Sequence, residues 1–201
     1  MNQDIELAEL ICTRISHDLI GTMGAISGAL ELIEADNNIL DDVTSDILHT
    51  GIHTLKARQK FFRVAFGLET KQISTEEINI ICNDYLETIG NKNNKIVLKL
   101  NKITPEIGKI ICISVMIAAE IFIKGGEITI DFNTDNMTIN AYSDYKLSET
   151  KIQSYKDIIA KNKGIENASQ YVQLIYLQKI LGNSVPLTIK NDENSFKLTA
   201  G

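Results

Sequence analysis

The chain has no excess of positive charge. Its 26 Asp and Glu outnumber 20 Lys and Arg, for a formal net charge of -6. That balance argues against nonspecific nucleic-acid binding, which depends on basic side chains neutralising phosphates. The opening residues, MNQDIELAEL, lack the basic stretch and apolar core of a secretory signal. No apolar run suits a membrane span: the longest, Ile110–Ile123, falls short of the roughly 20 residues required and contains Glu120. It reads as a fully buried helix. Cysteine is scarce too. Cys12, Cys82 and Cys112 are odd in number, far apart in sequence and without Cys-x-x-Cys spacing. They read as reduced, structural thiols of a cytoplasmic protein.

What is present is an ordinary globular balance, 44% hydrophobic and 23% charged in 201 residues. That length holds one large domain, or a small helical unit plus a compact domain. The organising stretch is 9–33, ELICTRISHDLIGTMGAISGALELI. Ile11, Ile15, Leu19, Ile26, Leu30 and Ile33 fall on one stripe of a 3.6-period helix. His17 lies roughly 200° from that stripe and is expected to face solvent. Thr13, Gly21, Gly24 and Gly28 share its outer face, with Leu10 and Ile20 at the margins. Glycine costs about 1 kcal/mol relative to alanine inside a helix. Three glycines on a face that needs no internal packing suit a surface kept flat for a visiting protein. Taken singly, an exposed histidine is a polar surface residue, and a small-residue stripe permits close helix packing. The combination is more specific, because Asp18 supplies a carboxylate beside the imidazole. Arg14, one turn earlier, is a phosphate-side cation on this reading.

A second helix is predicted from about Asp41 to Gly67, with Asp41 and Asp42 at the positive end of its dipole. Ile47, Leu48, Ile52, Leu55, Phe62, Ala65 and Phe66 form its apolar stripe. The short connection implies an antiparallel hairpin. A hairpin cannot bury two such stripes alone. Either a second copy completes a four-helix bundle, making a homodimer, or the C-terminal part covers the stripe. Hairpin geometry sets His17 level with position 59, near Lys56, Lys60 and Arg63. These form a basic fringe that could meet an acidic partner or a phosphoryl group, although exposed lysines more simply aid solubility. His49 and His53, with Asp46, have a spacing that can bind a divalent metal. No further ligand is evident, so surface histidines are the simpler reading.

Gly67–Lys71 is the expected boundary, dividing a helical hairpin (1–68) from an α/β domain (72–201). Ser74 and Glu77 make a capping-box signal for a helix reaching about Gly90. Expected next are a strand at Lys95–Asn101, a buried helix from Pro105 to about Lys124, and strands at Glu127–Asn133 and Met137–Ala141. Helices at about 148–161 and 167–182 and strands at Val185–Lys190 and Ser195–Thr199 follow. The class is α+β, the second part a two-layer sandwich.

His17-Asp18-Leu19 followed by small residues resembles the phosphoacceptor helix of sensor histidine kinases, whose usual pattern is His-Glu-Leu-Arg-Thr-Pro. The longer string Ser16-His17-Asp18-Leu19-Ile20-Gly21, with Gly24-Ala25 and Gly28-x-Leu30-Glu31-Leu32, resembles the ChpT-type histidine phosphotransferases. Those are dimeric relay proteins built like a kinase core that has lost its ATP site. The element order after residue 70 resembles the kinase ATP-binding domain, and Ile117–Ile130 resembles its Leu-Asn-Ala and Gly-Gly segment. The departures are chemical. Ala118 stands where kinases have the magnesium-holding asparagine. The adenine loop would fall at Ser143-Asp144-Tyr145-Lys146 and the lid at Ala168-Ser169-Gln170-Tyr171, both without glycine. Phosphate cradles need glycine for close backbone approach to the anion.

The expected function is therefore a phosphorelay histidine phosphotransferase. His17 would take a phosphoryl group from a receiver-domain aspartate and pass it to a second receiver, with Asp18 as orienter and base. Ile20, Gly21, Gly24 and Gly28 would form the docking surface, and Arg14, Lys56 and Lys60 would flank the phosphate. No cofactor of its own is expected, since Mg2+ would sit in the receiver's acidic cluster. The resemblance implies receivers of a hybrid kinase (CckA type) and of a response regulator (CtrA type) as partners. The rival expectations are a divergent ATP-dependent histidine kinase and a non-enzymatic dimeric adaptor.

Overall fold

The computed structural model describes residues 3–35, 39–68, 73–89, 94–132, 136–160, 168–182 and 185–201. Two long helices, α1 (Gln3–Ala35) and α2 (Asp42–Phe66), pack against each other. Helix α1 begins well before the expected stretch. Helix α2 starts where Asp41 caps it, its Oδ1 accepting the Thr44 backbone N–H at 2.6 Å. That bond holds the Asp41 carboxyl below its ordinary pKa. The helices approach closely at Gly51, where a Cβ would lie 2.6 Å from Cγ1 of Ile26. One level higher, Arg58 of α2 donates to the backbone carbonyl of Asp18. His17 and position 59 are therefore level, as the hairpin geometry predicted.

The rest is a five-stranded sheet with helices on one face. Helix α3 (Thr75–Glu87) starts at Ser74, whose Oγ accepts the Glu77 N–H at 3.1 Å. Strand β1 (Ile96–Asn101) leads through a short 3-10 turn at Pro105–Ile107 into α4 (Gly108–Ile121). Then come β2 (Gly126–Phe132), β3 (Met137–Tyr142), α5 (Glu149–Ile159), a 3-10 turn at Ala168–Tyr171 and α6 (Val172–Leu181). Strands β4 (Leu187–Asn191) and β5 (Ser195–Ala200) close the chain. The sheet order is β1-β2-β3-β5-β4, with β1 and β2 parallel and the other pairs antiparallel. Alternation sends Ile128, Ile130, Ile139, Phe196 and Leu198 into the core. Helix α4 is buried almost all round, as its unbroken apolar run implied. Gly126 tightens the entry to β2: its φ is +153°, and a Cβ there would fall 2.4 Å from the Tyr142 carbonyl oxygen.

The expected turns at 36–38, 91–93 and 134–135, and residues 69–71 of the expected boundary, lie outside the described residues. The core runs across that boundary. Phe61, Phe62, Val64 and Ala65 of α2 share one buried cluster with Ile78, Tyr85 and Met116. Phe61 and Tyr85 stack with centroids 3.7 Å apart. Cys82 and Cys112, distant in sequence, bring their thiol sulfurs within 3.9 Å of each other in the core. Among the described residues no helix is long and apolar enough to cross a membrane.

Candidate functional site

His17 stands where the helical wheel put it, with its side chain 83% exposed. Its Nδ1 lies 3.4 Å from Oδ1 of Asp18. The Asp18 carboxylate is itself only 15% exposed, because its other oxygen, Oδ2, accepts Nε of Arg14 at 2.8 Å. A carboxylate at that position favours the tautomer with the proton on Nδ1 and the lone pair on Nε2.

Around the imidazole the helix surface is bare. A Cβ built at Gly21, Gly24 or Gly28 would meet nothing within 4 Å, and Ile20 is 68% exposed. The three glycines are therefore not internal packing sites within this chain. Beside them runs an open groove of about 590 Å³ between the helices. Gly21, Thr22 and Ala25 line one wall; Val43, Ile47 and Thr50 line the other. Arg58 closes its upper end, with Nε on Thr88 Oγ1 and Nη2 on the Thr88 carbonyl, both at 3.2 Å. Sequence reasoning took Gly21 from this groove and missed the rest. The signal was available in part: Val43, Ile47, Thr50, Thr54 and Arg58 share one flank of α2 at helical spacing.

Two sequence expectations are corrected. Arg14 is no free cation beside His17. It faces inward, with Nη2 on Oε1 of Glu120 at 2.6 Å and Nη1 on the Gln170 carbonyl at 3.1 Å. Burial disfavours its charge, but Glu120 and Asp18 outweigh that and hold its pKa above the ordinary arginine value. Lys56 and Lys60 are exposed, and the helix angle of α2 turns them away from the His17 side of the hairpin. Gly51 marks the side of α2 that touches α1, and Lys60, nine residues on, points the opposite way. His17 points away from α2, so the two lie on opposite sides of the hairpin.

His49 and His53 are exposed on the outer side of α2. Among the described residues no group of three or more His, Cys, Asp and Glu side chains could hold a metal. Where the kinase resemblance put the nucleotide, Ala118 is fully buried and Ser143 is used internally, its Oγ donating to the Gly125 carbonyl at 2.7 Å. Between α4, α5 and α6 lies the Glu120 carboxylate. Its Oε2 accepts Tyr155 OH and Gln173 Nε2, each at 2.8 Å, and pairs with Lys151 Nζ at 3.1 Å. Burial first, and then Glu120, push the Tyr155 hydroxyl far above its ordinary pKa. A buried carboxylate without a glycine cradle does not fit a polyphosphate.

The structure is of the α+β class, a helical hairpin packed on a two-layer domain made of one five-stranded sheet with helices on one face. The particular likeness is to protein phosphotransferase ChpT of Brucella abortus (strain 2308), 32% identical over 84 residues. That match takes in 40% of this chain and 39% of the relative, so the chain spans well under half the relative's length in alignment. A solved structure of a bacterial phosphotransferase superposes with a TM-score of 0.76 over 98% of this chain and 96% of that one, at 19% identity. The histidine kinase AdeS of Acinetobacter baumannii gives a TM-score of 0.46 at 14% identity, covering 92% of this chain and 95% of that chain. No protein-family model matches the chain.

Proposed function

We propose that this protein is a phosphorelay histidine phosphotransferase with His17 as the phosphoryl carrier. The observation that carries the reading is the exposed imidazole beside a half-hidden carboxylate held from behind by Arg14. In the first step Nε2 attacks the phosphorus of an aspartyl phosphate on a docked receiver, in line with the departing carboxylate. The P–N bond forms, the P–O bond to the receiver aspartate breaks, and the carboxylate leaves with the bonding pair. The ring then carries positive charge, which Asp18 balances through the Nδ1 proton. A second receiver's aspartate reverses these steps. Mg2+ belongs to the receiver's acidic cluster, and no cofactor or ATP is required here. The mismatch between the buried Glu120 cluster and a polyphosphate supports that part of the reading.

Receiver docking is assigned to Ile20, Gly21, Gly24 and Gly28, extended by the adjoining groove. The small residues there admit a partner helix along the groove. On the opposite flank of the hairpin, Met23 and Leu30 of α1 and Ile52 of α2 are exposed. Packed against a second copy, they would complete a four-helix bundle, leaving one groove and one histidine per chain free. The receivers fall in the hybrid-kinase (CckA) and response-regulator (CtrA) classes, and the setting is cytoplasmic. Incubation with a phosphorylated receiver tests this: wild type gains acid-labile, base-stable label, and His17→Ala gains none. Label retained by the alanine variant overturns the site. ATP binding seen by calorimetry would instead favour the kinase reading.

A further inference from the structure

Glu120 is a charged residue in an otherwise apolar, buried helix, only 7% exposed. Stability gives a weak reason for it, since buried ion clusters can often be replaced by apolar residues without loss. Its geometry gives a stronger one. Three donors from α5 and α6 (Lys151, Tyr155 and Gln173) converge on Oε2 and leave the carboxylate a single orientation. Oε1 is thereby aimed at Arg14 of α1. All three guanidinium nitrogens of Arg14 are then occupied, by Glu120, the Gln170 carbonyl and Asp18. Hydrogen-bonded at Nε and Nη1 and ion-paired at Nη2, the planar fork is restricted in how it can turn. Asp18 must present Oδ2 to it, which leaves Oδ1 towards His17 Nδ1. Arg58 holds the Asp18 backbone carbonyl from the other helix. Of the charged groups gathered here (Asp18, Glu120, Arg14, Lys151 and Arg58), Asp18 is the one placed against the imidazole, so the ring meets a negative charge at Nδ1.

We infer that Glu120 is a positioning residue for His17: it fixes Arg14, Arg14 fixes the Asp18 carboxylate, and that carboxylate decides which ring nitrogen bears the proton. The sheet-bearing half thus serves the helix bearing His17 by holding one carboxylate in place. The consequence for transfer rests on the relay reading above, whereas the effect on the ring does not.

The test uses full-length protein with ¹⁵N-labelled histidine imidazoles, His17 being assigned by loss of its signals in His17→Gln. Wild type is expected to show the Nδ1–H tautomer at neutral pH. Glu120→Gln keeps the shape but removes the charge facing Arg14, and should move His17 towards the tautomer mixture of an unconstrained imidazole. In the transfer assay the same variant should lose about tenfold in kcat, with KM for the phosphorylated receiver within about twofold of wild type. Tyr155→Phe, which removes one bond to Glu120 at nearly constant volume, should shift the ring signals the same way by less. Wild-type ring signals and kcat in both variants, whatever their melting temperatures, would overturn the inference. If no receiver phosphorylates wild type while Glu120→Gln still moves the His17 resonances, the positioning stands and the relay falls.

Discussion

Arg14 of the first helix and Glu120 of α4 meet at 2.6 Å, an ion pair that ties the helix bearing His17 to the sheet-bearing half. Through Arg14 it holds from behind the carboxylate that stands beside His17. The consequences can be separated by mutation.

Asp18→Asn keeps the side-chain shape and removes the charge that balances the imidazolium. Phosphoryl transfer is expected to slow by about 10²-fold, with the oligomeric state unchanged. Rapid-quench kinetics with a labelled receiver measures this. Wild-type rates would reduce Asp18 to a helix-surface residue.

Gly24 has open space where a Cβ would go. Gly24→Ala should therefore raise stability by about 1 kcal/mol through helix propensity alone. Gly24→Leu should fold as well but weaken receiver binding in calorimetry. A fall in melting temperature for the alanine variant would mean the glycine serves internal packing.

Gly126 is the opposite case, because its φ is +153° and a side chain would strike the Tyr142 carbonyl. Gly126→Ala should cost about 1–3 kcal/mol in urea denaturation. A neutral result would show that β2 enters the sheet by another path.

Met23 and Ile52 lie on the flank assigned to the second copy. Met23→Glu or Ile52→Lys should convert a dimer to a monomer in sedimentation velocity, with helicity retained. A monomeric wild type would remove the bundle from the account.

Much of this arrangement is legible in the chain itself. The period of Ile15, Leu19 and Ile26 orients His17 outward, and the hairpin spacing levels it with position 59. The alternation in β2 and β3 gives the sheet. What local pattern could not show is which flank of each helix another element covers. Arg14 lies on the same outer quarter of α1 as Gly21 by wheel angle, yet the α4–α6 layer closes over it and leaves Gly21 open. Lys56 and Lys60 are outward residues in both readings, but outward from α2 is away from His17. Glu120 stands out in sequence only as a charge interrupting an apolar run; its partners lie far off in the chain. Cys82 and Cys112 show the same limit, being thirty positions apart and in contact.

In the proposed relay, phosphate travels on one atom of one side chain. Wild type phosphorylated by a receiver, digested under alkaline conditions and mapped by electron-transfer mass spectrometry, should carry phosphate on His17 alone. ³¹P–¹⁵N correlation should place it on Nε2. Phosphate on another residue, or on Nδ1, would contradict the account.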